Sequence, residues 1–183
     1  MRKLSIFILV LFLLLLSIAK GYRVYEKQNY LKERELLTLK YEQAVQGNEQ
    51  ASDKKVLGKI TIPSLNIDYI ILDEVSDENL DISISKVTGP DIHQPGNLVL
   101  AGHNMKNGSF FGKLNKANAS TIIYLQNNSN ITQKYKVEKM YTVKDTDLKP
   151  LEQNNTSDKL LTLITCTSNS TERLIVVAEQ VKK

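Results

Sequence analysis

Cysteine and histidine are scarce in this sequence, and their scarcity excludes several kinds of site. The chain contains one cysteine, Cys166, and two histidines, His93 and His103. A single thiol cannot form a disulfide within the chain, and the sequence has no Cys/His cluster of the kind that binds structural zinc. We therefore predict no internal disulfide, no metal site and no cofactor.

Long basic blocks are absent as well, although the chain is slightly basic, with a formal net charge of +4. Because no basic run is long enough to line a nucleic-acid groove, we expect no nucleic-acid partner. Mild basicity is compatible with an anionic membrane or cell-wall surface. With 42% hydrophobic residues, the 183-residue chain has the composition of a globular protein and room for one compact domain plus a targeting segment.

The longest apolar run lies at the N-terminus. It extends from Leu4 to Ala19 and follows Arg2 and Lys3. Such a run, as a helix, spans roughly 24 Å, slightly less than the roughly 30 Å hydrocarbon core of a bilayer. We interpret residues 1–21 as an uncleaved signal anchor, and a signal peptide cleaved at Ala19 is the alternative. The two cations predict a cytoplasmic N-terminus, with the rest of the chain outside the cell.

Residues 22–55 are predicted to form a stalk and a linker. Four apolar residues in this segment recur at helical spacing: Leu37, Tyr41, Ala44 and Val45. We expect the stalk to be a solvated tether without a packing partner. From Gln46 to Lys55 the apolar pattern is lost, which indicates a linker.

The remaining segment, residues 56–183, has the pattern of short strands separated by turns. Strands are predicted at 58–62, 67–72, 97–101, 121–125, 133–143, 160–166 and 173–178. A short helix is predicted at 77–85. About seven or eight strands with so little helix indicate an all-β barrel or sandwich, and they argue against a βαβ fold.

The last two predicted strands carry reactive side chains. One ends at Cys166 and the other begins at Arg173, with a polar loop between them. By the alternation of a strand, Cys166 shares a face with Thr162 and Ile164. If the strands are neighbours, a thiol and a guanidinium lie at the same end of a sheet. The simpler alternatives are a cysteine that acts as a small buried hydrophobe and an arginine that is only a solvated charge.

Export makes a lone thiol unusual, because exported domains generally pair their cysteines or avoid them. His103 follows a buried strand, and Gly102 before it permits a close approach of the backbone. A thiolate beside an imidazolium is the pair that cysteine nucleophiles need. Arg173 could stabilise an oxyanion, and Thr165 could assist through its backbone or hydroxyl. The sequence indicates no acidic or amide partner for His103, and a structural, hydrogen-bonded histidine is the alternative.

These residues resemble the sortases, a family of membrane-anchored cysteine transpeptidases of Gram-positive bacteria. TLITC, ending at Cys166, matches the TLxTC motif of that family, and AGHN, which contains His103, matches its histidine motif. RLIVVAEQ, beginning at Arg173, matches the strand that carries the family's arginine. GKITIPSLNI and VTGP…PGNLVLAGHN are similar to sortase segments too, so the resemblance covers roughly residues 57–181.

The resemblance implies a closed eight-stranded sortase barrel in which Cys166, His103 and Arg173 are catalytic. Cys166 would cleave an LPxTG-like sorting signal between Thr and Gly and form a thioacyl enzyme. An amine of a peptidoglycan precursor would then accept the acyl group. His103 would act as general acid and base, Arg173 would hold the substrate and its oxyanion, and Thr165 and Asn104 are assigned to substrate binding. The implied partners are proteins with sorting signals, the cell-wall amine and the cell membrane, in which the chain is single-pass with an extracellular catalytic domain.

The class within the family is less well defined by the sequence. The anchor and the short loops resemble class A or D, whereas GHNMKNGSFFGKL is similar to class B. No aromatic lid motif precedes the barrel, which argues against the pilus-building class. Class A calcium sites use acidic loop residues, for which Asp145 and Asp147 are weak candidates, and we predict no metal there.

Two other functions remain open at this point. A related cysteine peptidase that acts mainly by hydrolysis would use the same residues. A non-catalytic exported barrel that binds a wall component would need Cys166 only as a buried side chain.

Overall fold

The computed structural model describes residues 2–47, 56–153, 158–168 and 171–182. They fall into two compact units, the first ending at Leu36 and the second beginning at Leu37. One long helix, α1 (Arg2–Gln46), makes up the described part of the first unit and contributes its last turns to the second.

The first unit presents an apolar surface. Large side chains between Leu4 and Ile18 are exposed to at least 46%. Among the described helices, one is long and apolar enough to cross a membrane, over Ile6–Gln46. The exposure of these leucine-rich side chains favours the predicted anchor, because lipid can cover such a surface. Its orientation stays a prediction.

The second unit contains a closed barrel. In its described residues the strands are β1 (Val56–Ile62), β2 (Ile67–Leu72), β3 (Ile84–Thr88), β4 (Gly96–Ala101), β5 (Ile122–Asn127), β6 (Thr132–Lys144), β7 (Lys159–Cys166) and β8 (Glu172–Gln180). Around the barrel they follow the order β1-β2-β3-β4-β7-β8-β6-β5. The pairs β2–β3 and β4–β7 are parallel and the others antiparallel. The predicted all-β, eight-stranded barrel is confirmed.

Short helical segments connect some of these strands. One is an α-helix, α2 (Asp77–Ile82), between β2 and β3. Three are single 3₁₀ turns: Pro63–Leu65, Leu114–Lys116 and Lys149–Leu151.

The hydrophobic core fills the barrel and is supplied by alternate strand residues. In the three strands that matter for the site, the inward side chains are Leu98 and Leu100, Leu161 and Leu163, and Val176 and Ala178. The residues between them form the opposite surface, which we call the outer face. Its members are Asn97, Val99 and Ala101 on β4, Thr162, Ile164 and Cys166 on β7, and Arg173, Ile175 and Val177 on β8.

The prediction of a helix over residues 77–85 is wrong in its second half. The helix ends at Ile82, and Ile84 begins β3, which pairs with both β2 and β4. Ser83 marks the change because its backbone is extended and its hydroxyl donates to the Ile70 carbonyl at 2.6 Å. The two buried serines of ISIS concealed this strand, since they lack the apolar signature of a core strand.

The expectation of a tether without a packing partner is wrong for the end of α1. Leu37 and Tyr41 are only 5% and 2% exposed. The Tyr41 hydroxyl lies 3.1 Å from the Asn127 carbonyl oxygen and 3.3 Å from that of Gln126, both on β5. The helical spacing noted in the sequence therefore marks a face that packs on the barrel. The division of the chain into 1–21, 22–55 and 56–183 stays a prediction.

A pair of leucines in α1 tests this packing. Leu37→Ala should destabilise the barrel unit by roughly 2–5 kcal/mol, because it removes a buried side chain and leaves a cavity. Leu39→Ala, at a position that is 50% exposed in the same helix, should change stability by only about 0.5 kcal/mol. Urea unfolding of the full chain in detergent micelles, followed by circular dichroism, measures both. Equal effects of the two substitutions would contradict the packing.

Candidate active site

Cys166 ends β7, and the neighbouring strand β8 brings a cation to the same place. β8 runs antiparallel to β7 and pairs Arg173 with Cys166. Opposite residues in an antiparallel pair have Cα atoms about 4.5–5.5 Å apart. The predicted meeting of Cys166 and Arg173 at one end of a sheet is confirmed. The guanidinium is partly buried, and its Nη1 donates to the Glu172 carbonyl at 3.3 Å.

His103 reaches this end from the other side of β7. Parallel pairing of β4 with β7 sets Ala101 against Ile164. The Gly102 N–H then donates to the Ile164 carbonyl at 3.2 Å, which continues the ladder past the end of β4. His103, one residue further, is therefore level with Cys166.

The three side chains share the outer face of the barrel wall. The Thr162 hydroxyl donates to Asn97 Oδ1 at 2.7 Å, so the outer-face side chains of β7 and β4 meet there. Alternation along the strands assigns Cys166 to the face of Thr162, and His103 to that of Asn97. Arg173 belongs to the same face of β8. Cys166 is partly exposed, so its interpretation as a buried core residue is wrong.

Gly102 allows the chain to turn closely over the core just before His103. A Cβ atom at this position would lie 2.5 Å from Ile84 Cδ1 and 2.9 Å from Phe111 Cδ2. Because both neighbours are packed core side chains, any larger residue would displace the backbone that carries the imidazole. The predicted close approach at Gly102 is confirmed.

The loop after His103 is closed by Phe110. This residue has a positive φ of 53°, which is uncommon for an aromatic side chain, and it bridges to Asn104. Its ring stacks on Tyr69 with centroids 5.3 Å apart, and its N–H donates to the Tyr69 hydroxyl at 3.0 Å. The Phe110 ring also lies edge-on to the imidazole of His103, at 6.0 Å. These contacts hold both the loop and the ring.

Thr165 and Asn104 hold the backbone around Cys166. The Thr165 hydroxyl, buried in the barrel wall, donates to the Gly102 carbonyl at 2.7 Å. The Asn104 amide donates to the Cys166 carbonyl at 2.7 Å. Each bond joins the β7 end to the segment that carries His103. The assignment of these two residues to substrate binding stays a prediction.

Asp81 supplies the histidine partner that sequence reasoning missed. Its Oδ1 lies 3.2 Å from His103 Nε2, so the expectation that the histidine lacks an acidic partner is wrong. Asp81 precedes His103 by 22 residues and belongs to α2. The acidic helix segment DENLDI gives no signal for this pairing, because the position of α2 depends on its connection to β3, a strand that the apolar pattern does not predict.

Residues that follow β6 are bonded to the start of β4. The Asn97 amide donates to the Pro150 carbonyl at 3.1 Å, and the Gln153 amide donates to the Asn97 carbonyl at 2.9 Å. These bonds fasten residues 150–153 beside the start of β4, six residues before His103.

Within residues 2–47, 56–153, 158–168 and 171–182, no three His, Cys, Asp or Glu side chains are grouped to hold a metal ion. Asp147 Oδ1 instead accepts the N–H of Lys149 at 3.0 Å, as the first residue of a turn does.

Comparison with known proteins gives one consistent family. Residues 60–181 match a family model described as a sortase domain. Sortase A of Listeria monocytogenes is 28% identical over 138 residues, covering 74% of this chain and 61% of that relative. Sortase A of Bacillus anthracis is 30% identical over 137 residues, covering 73% of this chain and 64% of that relative. The chain therefore spans less than two thirds of the length of these two relatives.

A solved structure confirms the fold. Sortase C1 from Streptococcus agalactiae superposes with a TM-score of 0.65 at 30% identity, over 74% of this chain and 72% of that one. Because proteins named sortase A and sortase C1 both resemble the chain, its assignment to class A or D stays a prediction.

A substitution at Thr165 tests the bond between β7 and the histidine segment. Thr165→Val keeps the side-chain volume but leaves the buried Gly102 carbonyl without its donor, and should destabilise the protein by about 1–3 kcal/mol. Thr167→Val is the matched control, because the Thr167 hydroxyl donates to an exposed carbonyl of Glu172. It should cost no more than about 0.5 kcal/mol. Indistinguishable urea unfolding midpoints of the two variants would exclude the bond as a support of the site.

Proposed function

This chain belongs to the sortase family, and we propose that it acts as a membrane-anchored cysteine transpeptidase. The observation that carries the proposal is the shared strand end, where Cys166 pairs with Arg173 and the ladder of β4 brings His103 level with the thiol. A nucleophile, a proton carrier and a permanent cation are the groups that acyl transfer requires.

In the first half of the reaction, the Cys166 thiolate attacks the carbonyl carbon of a peptide bond. The carbonyl oxygen becomes an oxyanion, and the guanidinium of Arg173 stabilises it because arginine stays charged at any working pH. His103, as an imidazolium, gives its proton to the departing amine. The C–N bond breaks, and the acyl group remains on sulfur as a thioester.

In the second half, an amine attacks the thioester. His103, now neutral, accepts the proton of the incoming amine, and the C–S bond breaks to release the thiolate. Water in place of the amine gives hydrolysis by the same steps. The preferred acceptor therefore decides whether the enzyme joins two molecules or cleaves one.

We assign the substrate and partners from the family. The acyl donor is a protein with an LPxTG-like sorting signal, cleaved between Thr and Gly or the equivalent pair. The acceptor is an amine of a cell-wall precursor. The apolar surface of α1 supports anchoring in the cell membrane, with a cytoplasmic N-terminus and an extracellular barrel.

A peptide assay with active-site variants tests this function. The full chain in detergent micelles is mixed with an LPxTG-type peptide and an amine, and the products are separated and identified by mass spectrometry. Cys166→Ala should abolish cleavage, because no thioester can form. His103→Ala and Arg173→Ala should each lower kcat/KM by about 10²–10⁴-fold.

Lys106→Ala is the matched control for Arg173→Ala, since it removes an exposed cation from the loop that follows His103. It should leave kcat/KM unchanged. Cleavage that survives in Cys166→Ala would overturn the proposal. So would a wild-type protein that cleaves no peptide in a set varied at the third and fifth motif positions. The ratio of amine-linked to hydrolysed product separates the transpeptidase from a peptidase.

A further inference from the structure

Asp81 is held firmly beside the site by the short helix α2. The helix starts at Ser76, whose hydroxyl accepts the N–H of Asn79 at 3.1 Å. Ile82, at its end, is buried, and the hydroxyl of Ser83 donates to the carbonyl of β2 residue Ile70 at 2.6 Å. The cap fixes the first turn of the helix, and Ser83 fastens its end to the barrel, so the carboxylate of Asp81 has a defined place.

The contact between Asp81 and His103 defines the roles of the two imidazole nitrogens. An ionised carboxylate only accepts hydrogen bonds, so at 3.2 Å the Nε2 of His103 must carry the hydrogen that it shares with Asp81. In the neutral ring the other nitrogen, Nδ1, is then the acceptor. The Phe110 ring meets the imidazole edge-on at 72°, and it limits rotation of the ring.

We propose that Asp81 is a positioning residue that holds Nε2–H of His103 toward α2 and leaves Nδ1 to exchange protons with the reacting amines. This inference rests on the proposed transpeptidase function. The imidazolium gives its Nδ1 proton to the departing amine, and the resulting neutral ring keeps Nε2–H on Asp81. Nδ1 then takes one proton from the entering amine, which restores the imidazolium.

The pair is suited to this role and poorly suited to a structural one. The side chains of Asp81 and His103 are 43% and 37% exposed, and ion pairs this open to solvent add little to folding stability. Other ionisable side chains at this end of the described strands include Cys166, Glu172, Arg173 and Lys144. None of them belongs to α2, the helix from which Asp81 contacts the ring.

Two substitutions at Asp81 test the inference in the full chain. Asp81→Ala removes the acceptor and should lower kcat about tenfold. This is less than the roughly 10²–10⁴-fold contribution of general acid–base catalysis, because His103 itself is retained. Asp81→Asn keeps an oxygen that can accept the Nε2 hydrogen and should lower kcat only about threefold. KM for the LPxTG-type peptide should stay within about twofold in both, since Asp81 orients the ring and does not bind the peptide.

Glu78→Gln is the control, because it removes an exposed carboxylate from the same helix. It should leave kcat and KM unchanged. Sodium acetate should restore part of the kcat of Asp81→Ala, whereas sodium chloride at the same ionic strength should not. Acetate can reach the gap because the position is open to solvent.

The outcomes separate this inference from the function on which it rests. If the wild type shows no turnover that depends on Cys166, the proposed function fails. If the wild type turns over and both Asp81 variants equal Glu78→Gln, only the positioning role is overturned. A loss of melting temperature that parallels the loss of kcat would also overturn it. Should Asp81→Ala not fold, the isosteric Asp81→Asn decides the question alone.

Discussion

The parallel pairing of β4 with β7 is the interaction on which the site depends. These strands are separated by two others along the chain, yet their register sets Ala101 against Ile164. A shift by one residue would turn every outer-face side chain of one strand into the core. The site is therefore specified by the same hydrophobic alternation that fills the barrel, because Leu98 and Leu100 must face inward together with Leu161 and Leu163.

Hydrogen bonds from side chains to the backbone also hold the ends of β4 and β7 in this alignment. The Thr165 hydroxyl and the Asn104 amide each join the end of β7 to the segment around His103. On its far side, the loop is held to β2 through Phe110 and the hydroxyl of Tyr69. Cys166, at the end of β7, and His103, two residues beyond the end of β4, are thus held on one backbone framework.

Much of this architecture could be predicted from the residues. The alternation around Cys166 and Arg173 correctly predicts neighbouring strands with both side chains at one end, because a half-buried strand has a period of two. Other features depend on tertiary contacts that the pattern does not encode. Strand β3 was hidden by Ser83 and Ser85, which are buried although they are polar. Without β3, the position of α2 and the contact of Asp81 with His103 could not be predicted.

The end of α1 is a second feature that the sequence pattern predicts only in part. The spacing of Leu37 and Tyr41 correctly indicates a helix, but the partner of that helix is β5, about 85 residues further along the chain. The spacing of apolar residues shows that one face of a helix is apolar, but it does not identify the element that packs on that face.

Disulfide trapping tests whether the β4–β7 register brings position 103 beside Cys166. In a His103→Cys variant, the cysteine just beyond β4 and Cys166 at the end of β7 should have Cα atoms within the roughly 4.4–6.8 Å that a disulfide spans. We predict that mild oxidation links this pair rapidly, as mass spectrometry of an unreduced digest would show. Lys106→Cys, in the same loop but three residues further on, should link far more slowly. Rapid linkage of position 106 and none of position 103 would contradict the account.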